Sequence, residues 1–372
     1  MEIRIFAHSW LSDWNHGNVH FLRGLARALI ALGHRVGLFE SLPGPWGGWS
    51  LAHLISEEPM QAMAAVAEFR RAYADLPVRF YALGTQAARL ESRLEDLVRG
   101  ADLVLVHEWN PPELLAALVE LRRRKRFLLL FHDTHHRAVS DPAALASLPL
   151  AACDAVLVFG AALRRHYARL GCPRVFVWHE AADETQFQPA TAEIEQDVLW
   201  IGNWGDGERD AAVREFLLRP AASLPEARFA VHGVRYPEAA RRELRAAGIR
   251  QRGYLPNLRA PAAYAASRLT LHIPRGPYRE QLAGIPTIRV FEALACGRAL
   301  LCAPWRDTEG LFEPGADFVV ARNGVEMTAL VRDLLRDPAA TARLGNHGRG
   351  TVLARHTCRH RALELLELCR RL

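Results

Sequence analysis

The feature that most constrains the fold is an alternation of short, nearly continuous apolar runs with amphipathic helical segments, found in two separate stretches of the chain. Apolar runs of this kind, separated by helices, predict parallel β-sheets that are covered by helices on both faces. In the first stretch the predicted strands cover residues 3–9, 35–40, 78–83, 102–108, 127–132, 155–159 and 174–179. In the second stretch they cover residues 197–201, 228–231, 249–253, 269–273, 299–303 and 318–320.

A polar, irregular segment at residues 181–196 separates the two stretches. The 372 residues fit two domains of ordinary size, so we place a first domain at 1–183, a linker at 184–196 and a second domain at 197–355. Open parallel sheets bind ligands outside the carboxyl ends of their strands. We therefore expect an α/β protein with two Rossmann-like domains that face each other across a shared ligand-binding cleft.

The composition argues against several classes of protein. The net charge is +6, but the basic residues are almost all arginines scattered along helical faces, which does not indicate nucleic-acid binding. The dense run at 122–126 is best interpreted as a solvated helix end, and peripheral contact with an acidic membrane surface stays open. No apolar run has the length of a membrane span, and Met1 leads directly into a strand, so we expect a cytosolic protein.

Residues 286–297 carry the most specific pattern, Pro-Thr-x-Arg-x-Phe-Glu-Ala-x-Ala-x-Gly. It resembles the donor-binding segment of the type-B (GT-B) glycosyltransferases, especially the spore-maturation-protein (CgeB-like) branch of group 1. The resemblance implies that Glu292 binds the ribose of a nucleotide, while the helix start near Thr287 offers its free amides to a diphosphate. The wider group often has a second glutamate eight positions earlier, where this chain has Gly284.

The same resemblance implies further donor-binding residues. Two arginines are candidates for neutralising the diphosphate, Arg275 after a predicted strand and Arg289 within the motif. A glycine-rich turn opens the second domain and resembles the family's phosphate-approach loop, and a later loop resembles the family's base-contacting loop. These two loops supply the remaining candidates: Gly202, Asn203, Arg209, Tyr254 and Leu255.

The first domain resembles the acceptor domain mainly in the order of its elements, and residues 356–372 resemble the terminal helix that crosses back to it. The first domain has clusters rich in histidine and aspartate directly after its predicted strands. We expect these clusters to line the carboxyl edge of the sheet, where a general base would act on the acceptor. The candidate catalytic residues are His16, His132 and Asp133, and the candidate acceptor-side residues are Trp14, Gly17, His107 and Glu108. The run 132–136 lacks a third ligand at a spacing diagnostic of zinc, so we expect no metal and no cofactor.

These observations predict a metal-independent glycosyltransferase of the hexosyltransferase type. Its donor is a nucleoside diphosphate sugar, and its acceptor is a small molecule, glycan, lipid or protein. A base at His16 would suit inversion of the anomeric centre, whereas the group 1 resemblance implies retention. Two alternatives stay open: a nucleotide-sugar epimerase or hydrolase on the same fold, and a sugar- or nucleotide-binding protein without catalytic activity.

Overall fold

The protein is represented by a computed structural model that describes residues 1–14, 16–43, 48–83, 87–205 and 207–372. The chain forms two compact units. The first consists of Met1–Glu180 together with Cys358–Leu372, and the second of Ala181–Thr357. Residues 181–195 thus belong to the second unit, whereas the sequence pattern placed a linker at 184–196.

The first unit is built on a seven-stranded, fully parallel sheet with the strand order β3-β2-β1-β4-β5-β6-β7. The order reverses between β1 and β4, as in a doubly wound Rossmann fold. The central strand β4 is buried along its whole length, because helices cover both faces of the sheet. The strands are β1 (Glu2–Phe6), β2 (Arg35–Ser41), β3 (Val78–Tyr81), β4 (Leu103–His107), β5 (Leu128–Asp133), β6 (Ala155–Val158) and β7 (Val175–Val177).

Except for the last helix of the chain, the helices of this unit lie between its strands. Two of them, α2 and α3, form an excursion between β2 and β3. The helices are α1 (Val19–Ala31), α2 (Trp49–Glu57), α3 (Pro59–Ala72), α4 (Ala87–Leu97), α5 (Pro112–Arg124), α6 (Arg137–Ser140), α7 (Pro142–Ala146) and α8 (Arg164–Arg169), with short 3₁₀ turns at Leu150–Ala152 and Ala161–Leu163.

The second unit contains a six-stranded parallel sheet with the order β10-β9-β8-β11-β12-β13. This order reverses between β8 and β11, so the unit repeats the Rossmann arrangement of the first. Its core packs Val198, Val231, Leu269 and Leu301 from four adjacent strands against the covering helices. The strands are β8 (Gln196–Ile201), β9 (Phe229–His232), β10 (Arg250–Gln251), β11 (Ser267–His272), β12 (Ala299–Cys302) and β13 (Val319–Val320).

The helices of the second unit begin and end at residues suited to those positions. Asn323 and Asp337 accept hydrogen bonds from the first turns of α15 and α16, and Gly297 follows α14 with a φ of +66°. The helices are α9 (Asp210–Val213), continued by a π-helical segment (Arg214–Leu218) and α10 (Arg219–Ser223), then α11 (Glu238–Ala246), a 3₁₀ turn (Asn257–Arg259), α12 (Ala260–Ala265), α13 (Gly276–Glu280), α14 (Ile288–Ala295), α15 (Gly324–Arg336) and α16 (Pro338–Arg355).

The last helix, α17 (Cys358–Arg370), belongs to the first unit and packs against α1. Its backbone carbonyl at Arg361 accepts a hydrogen bond from Trp178 Nε1 over 3.0 Å. Among the described helices, none combines the length and the apolar character needed to cross a lipid bilayer.

Candidate functional site

The predicted site residues of the second unit gather around the carboxyl ends of β8, β9, β10 and β11. The turn after β8 is held tightly in place. A Cβ at Gly202 would lie 2.7 Å from the Trp200 ring, and the Gly202 carbonyl oxygen accepts a hydrogen bond from Tyr236 Oη over 2.5 Å. The Asn203 side chain accepts one from the backbone amide of Val234 over 2.8 Å. The turn is thereby fixed against the loop that follows β9.

Two arginines meet next to this turn. Arg209 Nη1 donates to the backbone oxygen of Asn203 over 2.9 Å, and Arg275 Nη1 donates to Glu208 Oε1 over 3.0 Å. Burial lowers the pKa of Arg209 to about 10, and the positive charge of Arg275 acts in the same direction. The Nε of Arg209 is buried without a hydrogen-bond partner among the described residues. Two guanidinium groups beside one carboxylate leave a net positive charge at the carboxyl ends of β8 and β11, where the strand order of the sheet reverses. This charge favours the binding of an anion.

The start of α14 lies beside the end of β11. Thr287 is the residue before the helix, and its side-chain hydroxyl pairs with Nε2 of His272 over 3.0 Å. Burial lowers the pKa of His272 to about 3, so the ring is neutral at pH 7. The Thr287 hydroxyl does not cap the helix, and the Val290 amide donates to the Thr287 carbonyl over 3.0 Å. The amides of Ile288 and Arg289 at the helix start therefore retain donor capacity.

Glu292 is fully buried within the second unit. Its Oε1 accepts a hydrogen bond from Asn257 Nδ2 over 3.3 Å, and its Oε2 accepts from Tyr264 Oη over 3.1 Å and from Arg289 Nη1 over 2.5 Å. The side chain of Arg289 is 28% exposed and forms an ion pair with this carboxylate. The ribose role of Glu292 and the diphosphate role of Arg289 stay predictions, because the structure pairs these two residues with each other.

The loop after β10 contains Tyr254 and Leu255, the predicted base-contacting residues. The loop is tied to its neighbour by a hydrogen bond from Gly233 N to Gly253 O over 2.9 Å, and Gly253 has a φ of +73°. Tyr254 is buried and Leu255 is half-buried. The position at the sheet edge suits a ligand-binding loop, and the contact with a base stays a prediction.

In the first unit, four buried histidines from separate segments lie together at the carboxyl ends of β1, β4 and β5. The ring centroids of His8 and His16 are 4.3 Å apart, those of His8 and His107 are 5.5 Å apart, and those of His107 and His132 are 5.3 Å apart. Burial lowers the pKa of all four rings, that of His132 to about 3, so they are neutral at pH 7. The predicted residues His16, His107 and His132 are thus brought together, and His8 joins them.

The predicted acidic residues Glu108 and Asp133 form a second buried group. Glu108 Oε1 accepts from the amide and the hydroxyl of Thr134 over 2.8 and 2.9 Å, and Arg137 Nε donates to Oε2 over 3.2 Å. Asp133 Oδ2 accepts from Tyr167 Oη over 2.6 Å. Burial raises the pKa of both carboxyl groups, and for Glu108 the charge of Asp133 adds to this. Asp133 is fully buried and engaged, and its catalytic role stays a prediction.

The tryptophans of the first unit differ in their surroundings. Trp14 is buried, and its backbone amide donates to the Ser12 hydroxyl over 3.3 Å. Gly17 is half-buried. Trp49 is half-buried and stacks on His8 with ring centroids 5.0 Å apart, and its ring lies 6.2 Å from that of Trp109. Trp49 and Trp109 therefore border the histidine group, and Trp46 lies outside the described residues.

Several residues of these sites are absent from the sequence-based prediction. His8 lies two residues after the end of β1, and His272 is the last residue of β11, so both could have been found from their positions at strand ends. Asn257 and Tyr264 lie between β10 and β11 and carry no motif, and they reach Glu292 only through the packing of the unit.

Comparison with protein families matches two models of transferases to separate parts of the chain. Residues 17–186 match the model described as Glycosyltransferase Family 4, and residues 209–367 match the model described as Glycosyl transferase-like. Comparison with curated proteins gives no match.

Several solved structures share the fold over the whole chain. Anabaena HepE, solved in complex with UDP and glucose, has a TM-score of 0.71 at 14% identity, with 100% of both chains covered. An α-glucosyltransferase in complex with UDP and a 13-mer DNA has a TM-score of 0.68 at 12% identity, again with 100% of both chains covered. Sucrose-phosphate synthase from Thermosynechococcus elongatus has a TM-score of 0.65 at 16% identity, covering 100% of this chain and 98% of that one. At these identities the likeness establishes the GT-B fold, and the prediction of two Rossmann-like domains is confirmed.

Proposed function

We propose that the chain is a group 1 glycosyltransferase of the GT-B fold and that it transfers a sugar from a nucleoside diphosphate sugar to an acceptor. The observation that carries the proposal is the pair Arg209 and Arg275, held together at the point where the order of the second sheet reverses. A diphosphate is the anion that such a place in an α/β unit receives in dinucleotide- and sugar-nucleotide-binding folds.

The same groups supply the catalytic effect. When the glycosidic bond to the diphosphate breaks, negative charge grows on the leaving oxygen, and donors fixed beforehand around that oxygen stabilise the transition state more than the ground state. Arg209 and Arg275 are fixed by Asn203 and Glu208, so little reorganisation is required. We propose that these arginines and the first turn of α14 neutralise the diphosphate without a metal ion at that position.

Glu292 is our candidate for the ribose contact. A carboxylate can accept about four hydrogen bonds, and Asn257, Tyr264 and Arg289 already donate to this one. A ribose would have to join or replace these donors, since the side chain is fully buried. Support for the role comes from the position of Glu292 in α14, one helix turn beyond the residues that start the helix.

The finer assignments are also proposals. UDP is the first nucleotide to test, because HepE and the α-glucosyltransferase were solved with it. Membership in the CgeB-like branch is supported by the pattern at 286–297. We propose a hexose as the transferred sugar because HepE was solved with UDP and glucose. On the acceptor side we propose the buried histidine group of the first unit, whose neutral rings border the half-buried Trp49 and Trp109.

A binding experiment tests the donor site. We expect UDP, in a panel of nucleoside diphosphates, to raise the melting temperature, and Arg209→Gln and Arg275→Gln each to weaken its binding by about 10- to 100-fold in calorimetry. Arg245→Gln is the matched control, because Arg245 lies on the exposed side of α11 and pairs with Glu238. The proposal would lose its basis if Arg209→Gln and Arg275→Gln bound UDP as tightly as the control Arg245→Gln does. It would also lose its basis if the wild-type chain bound no nucleoside diphosphate.

The ribose role of Glu292 requires a comparison of two ligands. Glu292→Gln should weaken UDP binding and leave pyrophosphate binding unchanged, because pyrophosphate has no ribose. Tyr264→Phe removes one donor to the same carboxylate while keeping the carboxylate itself, and it should affect UDP less. Equal losses for UDP and pyrophosphate would mean that Glu292 only maintains the structure of the unit.

Product analysis separates the reaction classes. A labelled donor incubated with a panel of acceptors should give a labelled adduct, and the anomeric configuration of that adduct reports retention or inversion. Free sugar formed without an acceptor would indicate a hydrolase, and an epimerised donor would indicate an epimerase. Tight donor binding without turnover under any acceptor would indicate a binding protein.

A further inference from the structure

The histidine group of the first unit has a property that the donor chemistry does not explain. His8, His16 and His107 are 1%, 6% and 1% exposed, and one ring nitrogen of each lies within 4.8 Å of one ring nitrogen of both others. Both nitrogens of His8, Nε2 of His16 and Nδ1 of His107 have no hydrogen-bond partner among the described residues. A buried polar atom without a partner destabilises a fold, because the hydrogen bond that it made with water is lost on folding. Four such atoms in one buried place provide the lone pairs that a ligand would need.

The hydrogen bonds around His16 determine which of its nitrogens is free to act as a ligand. Ser9 Oγ has one hydrogen and donates it to the backbone oxygen of Ser12. Ser9 Oγ therefore accepts from His16 Nδ1, 3.0 Å away, and the proton of the ring is on Nδ1. The lone pair of His16 is consequently on Nε2, the atom that lacks a partner.

The same argument applies to His107. Thr134 Oγ1 donates its only hydrogen to Glu108 Oε1 over 2.9 Å, so it accepts from His107 Nε2 over 3.2 Å. The lone pair of His107 is then on Nδ1, again the atom without a partner. A metal-bound histidine usually donates its other ring N–H to an oxygen that fixes the tautomer, and both rings have this arrangement.

We propose that His8, His16 and His107 bind one divalent transition-metal ion, most suitably Zn²⁺, with an open coordination position. Three imidazoles without a carboxylate suit zinc and do not suit Mg²⁺ or Ca²⁺, which require oxygen ligands. Nitrogens bound to tetrahedral zinc are about 3.4 Å apart, so the rings have to move slightly toward the ion. The fourth position takes water or a hydroxyl oxygen, as in catalytic zinc sites with three protein ligands.

The surroundings of the three rings fit this site. The positive charges near them are compensated, since Arg137 pairs with Glu108 and Arg23 lies 4.0 Å from Asp13. A bound ion and a free base at His16 exclude each other, so the presence of the ion also decides the role of His16.

The test is a metal titration of the full-length, tag-free chain after chelation, without nucleotide. We expect one Zn²⁺ per chain in calorimetry, no binding of Mg²⁺, and a visible absorption band of tetrahedral type with Co²⁺. His8→Ala, His16→Ala and His107→Ala should each abolish that band, whereas His166→Ala in α8 should leave it unchanged. Absence of Zn²⁺ and Co²⁺ binding, or binding that survives all three histidine variants, overturns the proposal.

Two variants outside the ligand set keep the test decisive if a histidine variant does not fold. Ser9→Ala and Thr134→Val remove the acceptors of His16 Nδ1 and His107 Nε2, and each should weaken Zn²⁺ binding by about 10- to 100-fold. Unchanged Zn²⁺ affinity in both would contradict the assignment of the ligand nitrogens. The titration contains no nucleotide and does not measure sugar transfer. Its result is therefore independent of the donor-binding experiments on Arg209 and Arg275.

Discussion

Gly284 limits the sugar contacts that the second unit can make. The glycosyltransferases that this chain resembles often place a glutamate at this position, but the backbone here has a φ of +94°. A Cβ on Gly284 would lie 2.0 Å from Thr308 Oγ1. A side chain of any kind thus requires both a strained backbone and a shift of Thr308. The local backbone and Thr308 therefore both disfavour a glutamate at position 284. In the proposed function, recognition of the sugar has to rely on other groups.

Comparison of two glycines separates these two effects. Gly248 has a φ of +71° and open space around the position of a Cβ, so Gly248→Ala should lose only the backbone term, about 1–2 kcal/mol of unfolding free energy. Gly284→Ala should lose about 1–3 kcal/mol more, because the methyl group meets Thr308. Urea unfolding of both variants measures the difference, and Thr308→Ala should reduce it. Equal losses at the two glycines would show that Thr308 moves away freely.

At the scale of elements, the segment after β1 is held between two neighbours. Glu40, at the end of β2, accepts hydrogen bonds from the amides of Trp10 and Leu11 over 2.7 and 2.8 Å. From the other side, Arg23 Nε in α1 donates to the Trp10 carbonyl over 2.8 Å. Glu40 and Arg23 are both buried. Glu40 and Arg23 together fix the segment that follows His8 and leads to His16.

Glu40 makes stability depend on pH. Burial raises its pKa to about 7, although the two amides and Arg23 act in the opposite direction. Between the ordinary pKa of a glutamate and about 7, the folded chain holds a proton that the unfolded chain has lost, so stability falls as pH rises. Wild type should therefore lose up to about 1.4 kcal/mol per pH unit relative to Glu40→Gln across this range.

Urea unfolding of both proteins at several values between pH 5 and about 7.5 measures that difference. The contributions of Glu108 and Asp133 are present in both proteins and cancel in the comparison. Parallel curves of unfolding free energy against pH would contradict a raised pKa for Glu40.

The order and type of the elements could be predicted from sequence, because buried parallel strands have an apolar pattern that is local. Their ends are less predictable. β10 is limited to Arg250–Gln251, since Gly253 turns with a positive φ, and α14 starts at Ile288 because Thr287 is extended. The contacts within the sites could not be predicted. His8 and His107 lie on segments distant in sequence, and only the pairing of β1 with β4 brings them together.

At the scale of the whole molecule, the first unit is assembled from both ends of the chain. Its sheet ends with β7, the chain then builds the second unit, and α17 returns to pack against α1. Trp178 Nε1 donates to the Arg361 carbonyl, and the Cys358 thiol donates to the Phe21 carbonyl over 3.6 Å. The first unit therefore depends on residues that follow the second unit in the sequence, whereas the second unit is continuous in sequence.

This arrangement predicts that damage to α17 destabilises the first unit selectively. Leu365 is fully buried and Leu363 is 43% exposed on the same helix, so they form a matched pair. Leu365→Ala should reduce the unfolding free energy by about 2–5 kcal/mol, and Leu363→Ala should change it by less than about 0.5 kcal/mol. Hydrogen exchange should accelerate in α1 and the first sheet of Leu365→Ala and stay at wild-type rates in the sheet of the second unit. If both sheets were to exchange faster by the same factor, the two units would unfold as one, and the independence of the second unit would have to be abandoned.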